Sequence, residues 1–134
     1  MLGLPERLPT EARSVFTGLV CPDCSGNLVI SVQSDHLTFS CRVGHAYGLS
    51  ELVLAKDAAL EATLWRAAFA FEELEALLSD LLKHGLAEAF GADACRVRAD
   101  QAREQTSRLR AIIEADRTLT ERHRTNGAIE IGSP

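Results

Sequence analysis

The chain has 134 residues, 46% of them hydrophobic and 25% charged, with a net charge of -5. This composition is that of a soluble globular protein, and it excludes a wholly disordered chain. The negative charge disfavours general attraction to nucleic acid or to an anionic membrane. No apolar run reaches the roughly 18–20 residues of a membrane span, and the first ten residues lack the apolar run of a signal peptide. The cytoplasm, where thiols stay reduced, is therefore the expected location.

The first half of the chain is rich in Gly, Pro, Ser, Thr and Val, and it predicts short strands. Residues 1–14 are expected to be an irregular lead-in, followed by a small β unit over residues 15–49. Within that unit, residues 27–32 and 36–41 read as two strands joined by a turn at residues 33–35. Residues 42–48, which hold two glycines, are expected to form a second loop.

The second half of the chain predicts two helices, with a break at Gly85. Ser50 is a good N-cap, and residues 51–84 hold neither Pro nor Gly before Gly85 provides a natural stop. The second helix is expected over about residues 92–122, within a hairpin domain of residues 50–124 that precedes a flexible tail at 125–134. Each helix carries an apolar line with steps of three and four residues, as in coiled coils. On the first helix this line consists of Leu60, Leu64, Ala67, Phe71, Leu74, Leu78 and Leu81, and on the second of Ala99, Ala102, Thr106, Leu109 and Ile113.

The charges of the two helices favour their pairing. Residues 50–84 carry three basic residues against seven acidic ones, whereas residues 92–124 carry eight arginines against six acids. An acidic helix folded back on a basic one makes a favourable antiparallel hairpin, although each exposed ion pair contributes only about 0–1 kcal/mol. The predicted fold class is therefore α+β, mostly α, with a small β-hairpin ribbon followed by a long antiparallel helical hairpin.

Three of the four cysteines are grouped in the predicted ribbon, which indicates a local site rather than a disulfide framework. Cys21 and Cys24 share a tight turn, where Pro22 fixes the backbone and Gly26 is expected in the left-handed conformation. The strands return the chain to Cys41, and His45 follows four residues later. Three thiolates and one imidazole form the closed tetrahedral set that structural zinc prefers, so we predict one zinc ion bound by Cys21, Cys24, Cys41 and His45.

Other interpretations of these residues are weaker. A Cys-x-x-Cys redox pair needs a βαβ context that this sequence lacks, and a histidine ligand favours zinc over iron. Cys95 is expected to be a small apolar residue of the second helix, and His36 a solvent-facing residue. Arg42 is placed to offset the negative charge of three thiolates.

Three segments together resemble a known family. They are residues 21–26 (Cys-Pro-Asp-Cys-Ser-Gly), residues 39–47 (Phe-Ser-Cys-Arg-Val-Gly-His-Ala-Tyr) and residues 57–67 (Asp-Ala-Ala-Leu-Glu-Ala-Thr-Leu-Trp-Arg-Ala). The chain resembles, over residues 16–115, the zinc ribbon and helical extension at the C-terminus of some bacterial chemotaxis methylesterase-like proteins. The resemblance implies the same four metal positions and a bacterial signalling context. It does not imply esterase activity, because the α/β domain with the Ser-His-Asp triad has no counterpart in this chain.

These observations predict a non-catalytic, zinc-binding accessory protein of two-component or chemotaxis-like signalling. The helical hairpin is expected to bind a protein partner or a second copy of the chain. Two alternatives remain at this stage. One is a nucleic-acid-binding zinc ribbon, which the charge of residues 1–49, three arginines against four acids, does not favour. The other is a thiol-redox protein that uses Cys21 and Cys24.

Overall fold

The computed structural model describes residues 2–11 and 13–116, in which four strands precede two helices. The strands form one antiparallel sheet in the order β1-β2-β3-β4. They are β1 (Ser14–Val20), β2 (Asn27–Gln33), β3 (His36–Ser40) and β4 (Ala46–Gly48). The helices are α1 (Leu49–Lys83) and α2 (Ala92–Ala115). The predicted α+β class, mostly helical, with a helical hairpin after a small sheet, is confirmed.

A two-residue turn joins β2 to β3. Ser34 and Asp35 both have positive φ, 50° and 65°, between the paired residues Gln33 and His36. Two successive left-handed residues are the mark of a type I′ turn, whose twist matches that of the flanking strands. The two strands predicted from the sequence are thus found within one residue of their expected ends.

The outer strands β1 and β4 are not predicted by the sequence pattern. Strand β1 pairs with β2 through an irregular register, and its apolar residues do not alternate with polar ones. Strand β4 has only three residues, and it lies in a segment expected to be a loop. Each of these strands forms by hydrogen bonding to one side of the central hairpin. This pairing depends on contacts with other strands, so a local sequence pattern does not reveal it.

One row of side chains crosses all four strands and forms the core of the sheet. Val15 is paired with Ile30, Ile30 with Phe39, and Phe39 with Tyr47. Ile30 and Phe39 are fully buried, and Val15 and Tyr47 pack against them at the two edges. Burying such side chains is the main source of stability for a unit of this size.

The first turns of α1 belong to the ribbon rather than to the helical hairpin. Leu52 is only 3% exposed and is part of the same buried cluster as Ile30 and Phe39. The chain accordingly divides into two compact units between Ala59 and Leu60, ten residues after the change in composition that the sequence shows. A side chain of the helix that follows the sheet is therefore part of the core of the ribbon.

Helix α1 runs without a break and ends where the sequence predicts. It starts at Leu49, one residue before the expected cap Ser50. At its end, Gly85 has a φ of 66°, and the N–H of Leu86 bonds to the carbonyl of Leu81 at 2.8 Å. A left-handed glycine with this six-residue bond is the Schellman motif, which satisfies carbonyls that the helix leaves free.

Small side chains of α2 face α1. Cys95, Ala99, Ala102 and Thr106 are buried with steps of four, three and four residues, which includes most of the line predicted for this helix. On α1, the predicted line is half-buried from Leu64 onward, and only its first residue, Leu60, is largely exposed. The two apolar lines therefore lie on the covered sides of their helices.

Two ion pairs across the hairpin show that its helices are antiparallel. Arg103 pairs with Glu75 at 2.8 Å, and Arg110 pairs with Glu72. A later residue of α2 thus meets an earlier residue of α1. The predicted pairing of an acidic helix with a basic one is present in these contacts.

Helix α2 is shorter than predicted. It ends at Ala115, because Asp116 takes an extended conformation with a ψ of 130°. The rest of the predicted helix, up to residue 122, and the predicted tail at 125–134 lie outside the described residues. Among the helices described, neither combines the length and the apolar character that crossing a membrane requires.

We predict that Leu52→Ala destabilises the sheet by about 2–4 kcal/mol, because it leaves a cavity in the ribbon core. Native-state amide exchange of β2 and β3 measures this loss as a lower free energy of opening. Val53→Ala is the matched control, since Val53 is the next residue and is 43% exposed. Equal effects of the two substitutions would contradict the assignment of Leu52 to the core.

Candidate metal centre

The sheet topology brings two loops to the same end. The loop of residues 21–26 follows β1, and the loop of residues 41–45 follows β3. Because neighbouring strands are antiparallel and follow the chain order, β1 and β3 run in the same direction, and both finish at the same end of the sheet. The turn at Ser34 and Asp35 lies at the opposite end of the sheet. The four predicted ligands are therefore placed together by the fold, with two from each loop.

The first loop is a tight knuckle around two cysteines. The N–H of Ser25 bonds to the carbonyl of Cys21 at 2.9 Å, and the N–H of Cys21 bonds to the carbonyl of Gly26 at 2.7 Å. The left-handed residue is Ser25, with a φ of 62°, and not Gly26 as the sequence suggested. A Cβ at Gly26 would lie 3.4 Å from the Cys24 sulfur, which is the near limit of ordinary van der Waals contact.

The second loop makes a similar bend. The N–H of Cys41 bonds to the carbonyl of His45 at 3.1 Å, and the N–H of Gly44 bonds to the carbonyl of Cys41 at 3.2 Å. Gly44 has a φ of 107°, which side chains with a Cβ rarely adopt. The predicted bend at Gly44 is confirmed, and it turns the imidazole of His45 back toward the sulfur of Cys41.

The four ligand atoms converge on one point. The Nδ1 atom of His45 lies 3.4 Å from the sulfur of Cys41 and 3.6 Å from that of Cys21, and the sulfurs of Cys24 and Cys41 are 3.6 Å apart. All four atoms lie within 4.8 Å of one another. Tetrahedral zinc, with bonds of about 2.3 Å to sulfur and 2.0–2.1 Å to nitrogen, places its ligand atoms about 3.5–3.8 Å apart. The donor set and its spacing therefore fit a single zinc ion.

Hydrogen bonds to the sulfurs favour their ionised forms at two of the three cysteines. Desolvation raises the pKa of Cys21, but the Tyr47 hydroxyl and the N–H groups of Cys24 and Asp23 outweigh it and lower this pKa to about 6. At Cys41, desolvation is likewise outweighed, chiefly by the N–H of His45, so the pKa falls. Metals bind thiolates rather than thiols, so the loops favour the metal-binding state of these two side chains.

The other two groups hold their protons more tightly. The N–H of Gly26 acts to lower the pKa of Cys24, but desolvation and the neighbouring sulfurs of Cys41 and Cys21 together raise it. Hydrogen bonding to Cys41 raises the pKa of His45, because the imidazolium form faces two sulfurs. A metal ion must displace these protons, so the metal affinity decreases as the pH falls.

Tyr47 and Asp23 also belong to the site, and the sequence analysis did not identify them as such. The Tyr47 hydroxyl lies 3.5 Å from the Cys21 sulfur and donates a hydrogen bond to the Asp23 carboxylate. Cys21 and Asp23 are 26 and 24 residues away from Tyr47 in the sequence, so no local pattern reveals these contacts. The only signals are the placement of Asp23 between the two cysteines of the knuckle and of Tyr47 two residues after His45.

The remaining candidate residues lie outside the cluster. Cys95 is buried on α2, as predicted, and His36 is exposed at the start of β3. Arg42 is exposed in the second loop, and its predicted role in offsetting the charge of the thiolates stays a prediction.

We predict that Tyr47→Phe lowers the affinity for zinc by about tenfold, because the hydroxyl orients the Cys21 thiolate from outside the ligand set. Competition with a chromogenic chelator measures the change. The absorption bands of the cobalt-substituted protein should shift as well, since they report on the thiolates directly. Unchanged affinity and unchanged bands would contradict this role of Tyr47.

We also predict a thiolate that titrates near pH 6 in the metal-free protein, measured by thiolate ultraviolet absorbance. It should disappear in Cys21→Ser and remain in Cys95→Ser. The lowered pKa of Cys21, against its ordinary value of 9.0, means that ionisation of Cys21 stabilises the metal-free fold fully above pH 9. This contribution is lost as the pH falls through about 6. A first thiolate step only near pH 9, in metal-free protein that keeps the dispersed amide signals of the sheet, would contradict the prediction.

No protein-family model, no curated protein and no solved structure matches this chain. The geometry and chemistry of the site are therefore the basis for the functional conclusion.

Proposed function

We propose that the protein is a non-catalytic zinc-binding accessory protein whose helical hairpin serves as an interaction surface. The observation that carries the proposal is the convergence of Cys21, Cys24, Cys41 and His45 from two loops on one point. Three free thiols in such a site fit a reducing compartment, and we extend the proposal to the cytoplasm.

The role of the zinc ion in this proposal is structural. The buried cluster of the ribbon holds only six residues, two of which are the ligands Cys21 and Cys41. A core of this size contributes too little to hold a sheet together alone, and metal binding then adds directly to the free energy of folding. The ion would join the loop after β1 to the loop after β3, whose sulfurs Cys24 and Cys41 already lie 3.6 Å apart.

The same ligand set argues against catalysis at the metal. Catalytic zinc sites have three protein ligands and keep a fourth position for water or substrate. Here the protein supplies four ligands, and Cys21 is only 1% exposed. The zinc ion therefore has no open position at which it could activate a water molecule.

The helical hairpin is the part that we assign to a protein partner or to a second copy of the chain. Trp65 is half-buried and stacks on the largely exposed Phe69, with ring centroids 5.9 Å apart. Exposed aromatic side chains next to arginine are frequent at protein interfaces. The guanidinium of Arg110 lies over the ring of Trp65, 5.6 Å from its centroid.

A bacterial two-component or chemotaxis-like context is the further part of the proposal, and it is supported by the three segments that resemble the methylesterase-like proteins. It is tested by co-purification of the tagged full chain from its own cells. Recovery of a chemoreceptor, a histidine kinase or a response regulator would support this context. Recovery of none of these three classes would contradict it.

Nucleic-acid binding is less well supported. The arginines of α2 could contact phosphates, but four of them are paired with acids. These pairs are Arg96 with Asp93, Arg103 with Glu75 and Asp100, Arg108 with Glu104, and Arg110 with Glu72. Phosphate binding would require these pairs to be given up.

We predict one zinc ion per chain in the purified protein, measured by elemental mass spectrometry. Cys41→Ser should lose the ion together with the dispersed amide signals of the sheet, because it removes one of four ligands. Cys95→Ser is the control, since Cys95 lies on α2 outside the cluster, and it should keep both.

An intact sheet with reduced thiols and no bound metal would overturn the proposal. That result would favour the thiol-redox alternative, in which Cys21 and Cys24 exchange electrons as a pair. Measurement of the reduction potential of this pair would then be the next test.

A further inference from the structure

The side of α1 that faces away from α2 is unusually apolar. We call it the outer face of α1, and it consists of Ala62, Arg66, Phe69, Ala70, Glu73 and Leu77. All six residues are exposed, and Phe69 and Leu77 have exposed fractions of 53% and 57%. The opposite side carries the buried Ala68 and the half-buried leucines that α2 covers. A helix with only one paired side is expected to be polar on the other, so the outer face of α1 needs an explanation.

Phe69 is held in place rather than free to collapse onto the helix. The ring of Phe69 stacks on that of Trp65, and the guanidinium of Arg110 in turn lies over the Trp65 ring. Arg110 is in turn paired with Glu72. A large apolar side chain that such contacts already hold in place loses little conformational freedom on binding, which favours association.

The two charged residues of the outer face are arranged symmetrically about its aromatic centre. Arg66 and Glu73 are seven residues apart, which is about two helical turns or roughly 10 Å. The midpoint between them falls between Phe69 and Ala70. Neither charge forms an ion pair with another side chain within residues 13–116, whereas four of the five arginines of α2 do.

We infer that the outer face of α1 binds the same face of a second copy of this chain, with the two α1 helices antiparallel. A two-fold axis between residues 69 and 70 places Arg66 opposite the partner's Glu73. It places Phe69 opposite the partner's Ala70, where a small side chain leaves room for a ring. It also places Ala62 opposite the partner's Leu77. Each contact occurs twice, as two-fold symmetry requires.

Charge complementarity selects a second copy over an unrelated partner. The outer face of α1 carries both members of the ion pair, so it is complementary to itself in the antiparallel arrangement. A parallel arrangement would oppose Arg66 to the partner's Arg66 and Glu73 to the partner's Glu73, which is repulsive. An acidic or a basic partner helix would satisfy only one of the two charges.

This inference rests on the proposed function only in assigning interaction to the helical hairpin, and it does not depend on the metal. The test uses the full chain in sedimentation velocity experiments over a range of concentrations. The wild type should form dimers at micromolar concentration. Phe69→Ala should weaken the dimer by at least tenfold, because it removes the central ring.

Charge reversal provides the sharper test. Arg66→Glu and Glu73→Arg should each be monomeric where the wild type is dimeric, since each opposes like charges. An equimolar mixture of these two variants should form a heterodimer, and the double variant should recover the homodimer. Arg108→Glu is the control for the change in net charge, because Arg108 lies on α2 and is 64% exposed; it should dimerise as the wild type does.

Three results would overturn the inference. They are a monomeric wild type, a dimer that Arg66→Glu leaves unchanged, and a mixture of the two single variants that stays monomeric. Zinc content measured on the same samples separates this inference from the proposed function. One ion per chain in a monomer would overturn the dimer alone, and a dimer without metal would overturn the zinc site alone.

Discussion

The organisation of the ribbon depends on two loops that meet at one end of the sheet. Cys21 and Cys24 come from the loop after β1, and Cys41 and His45 come from the loop after β3. Three thiolates at contact distance repel one another, and without a cation the sulfurs and the ring nitrogen compete for protons. The N–H groups of both loops offset part of this cost, and the proposed zinc ion would offset the rest. In the proposed function, an ion at this end of the sheet would add to the free energy of folding that the small core supplies.

The clustering of the four candidate ligands could be predicted from the sequence because their signal is local and chemical. Two thiols three residues apart in a Pro-Gly turn, and a Cys and a His four residues apart around a glycine, indicate a metal site. The central hairpin and the stop at Gly85 follow from turn and cap chemistry in the same way. The buried line of α2 follows from the spacing of its small residues.

What the sequence did not predict depends on distant contacts. Strand β4 has three residues and forms by pairing with β3, where Tyr47 lies opposite Phe39, and the register of β1 against β2 shifts between Phe16 and Val20. Tyr47 and Asp23 meet across 24 residues of chain. The boundary near residue 59 differs from the change in composition near residue 49, since composition reports residue types and not the packing of Leu52.

Tyr47 joins two parts of the ribbon that are usually considered separately. Its ring ends the row of side chains that starts at Val15, and its hydroxyl contacts the Cys21 sulfur. A change of volume at Phe39 would therefore move a group that orients a ligand, and natural selection would act on it through metal retention as well as through packing. Among descendants of this sequence, positions 39 and 47 are then expected to change together, so that the evolution of the core is coupled to that of the metal site.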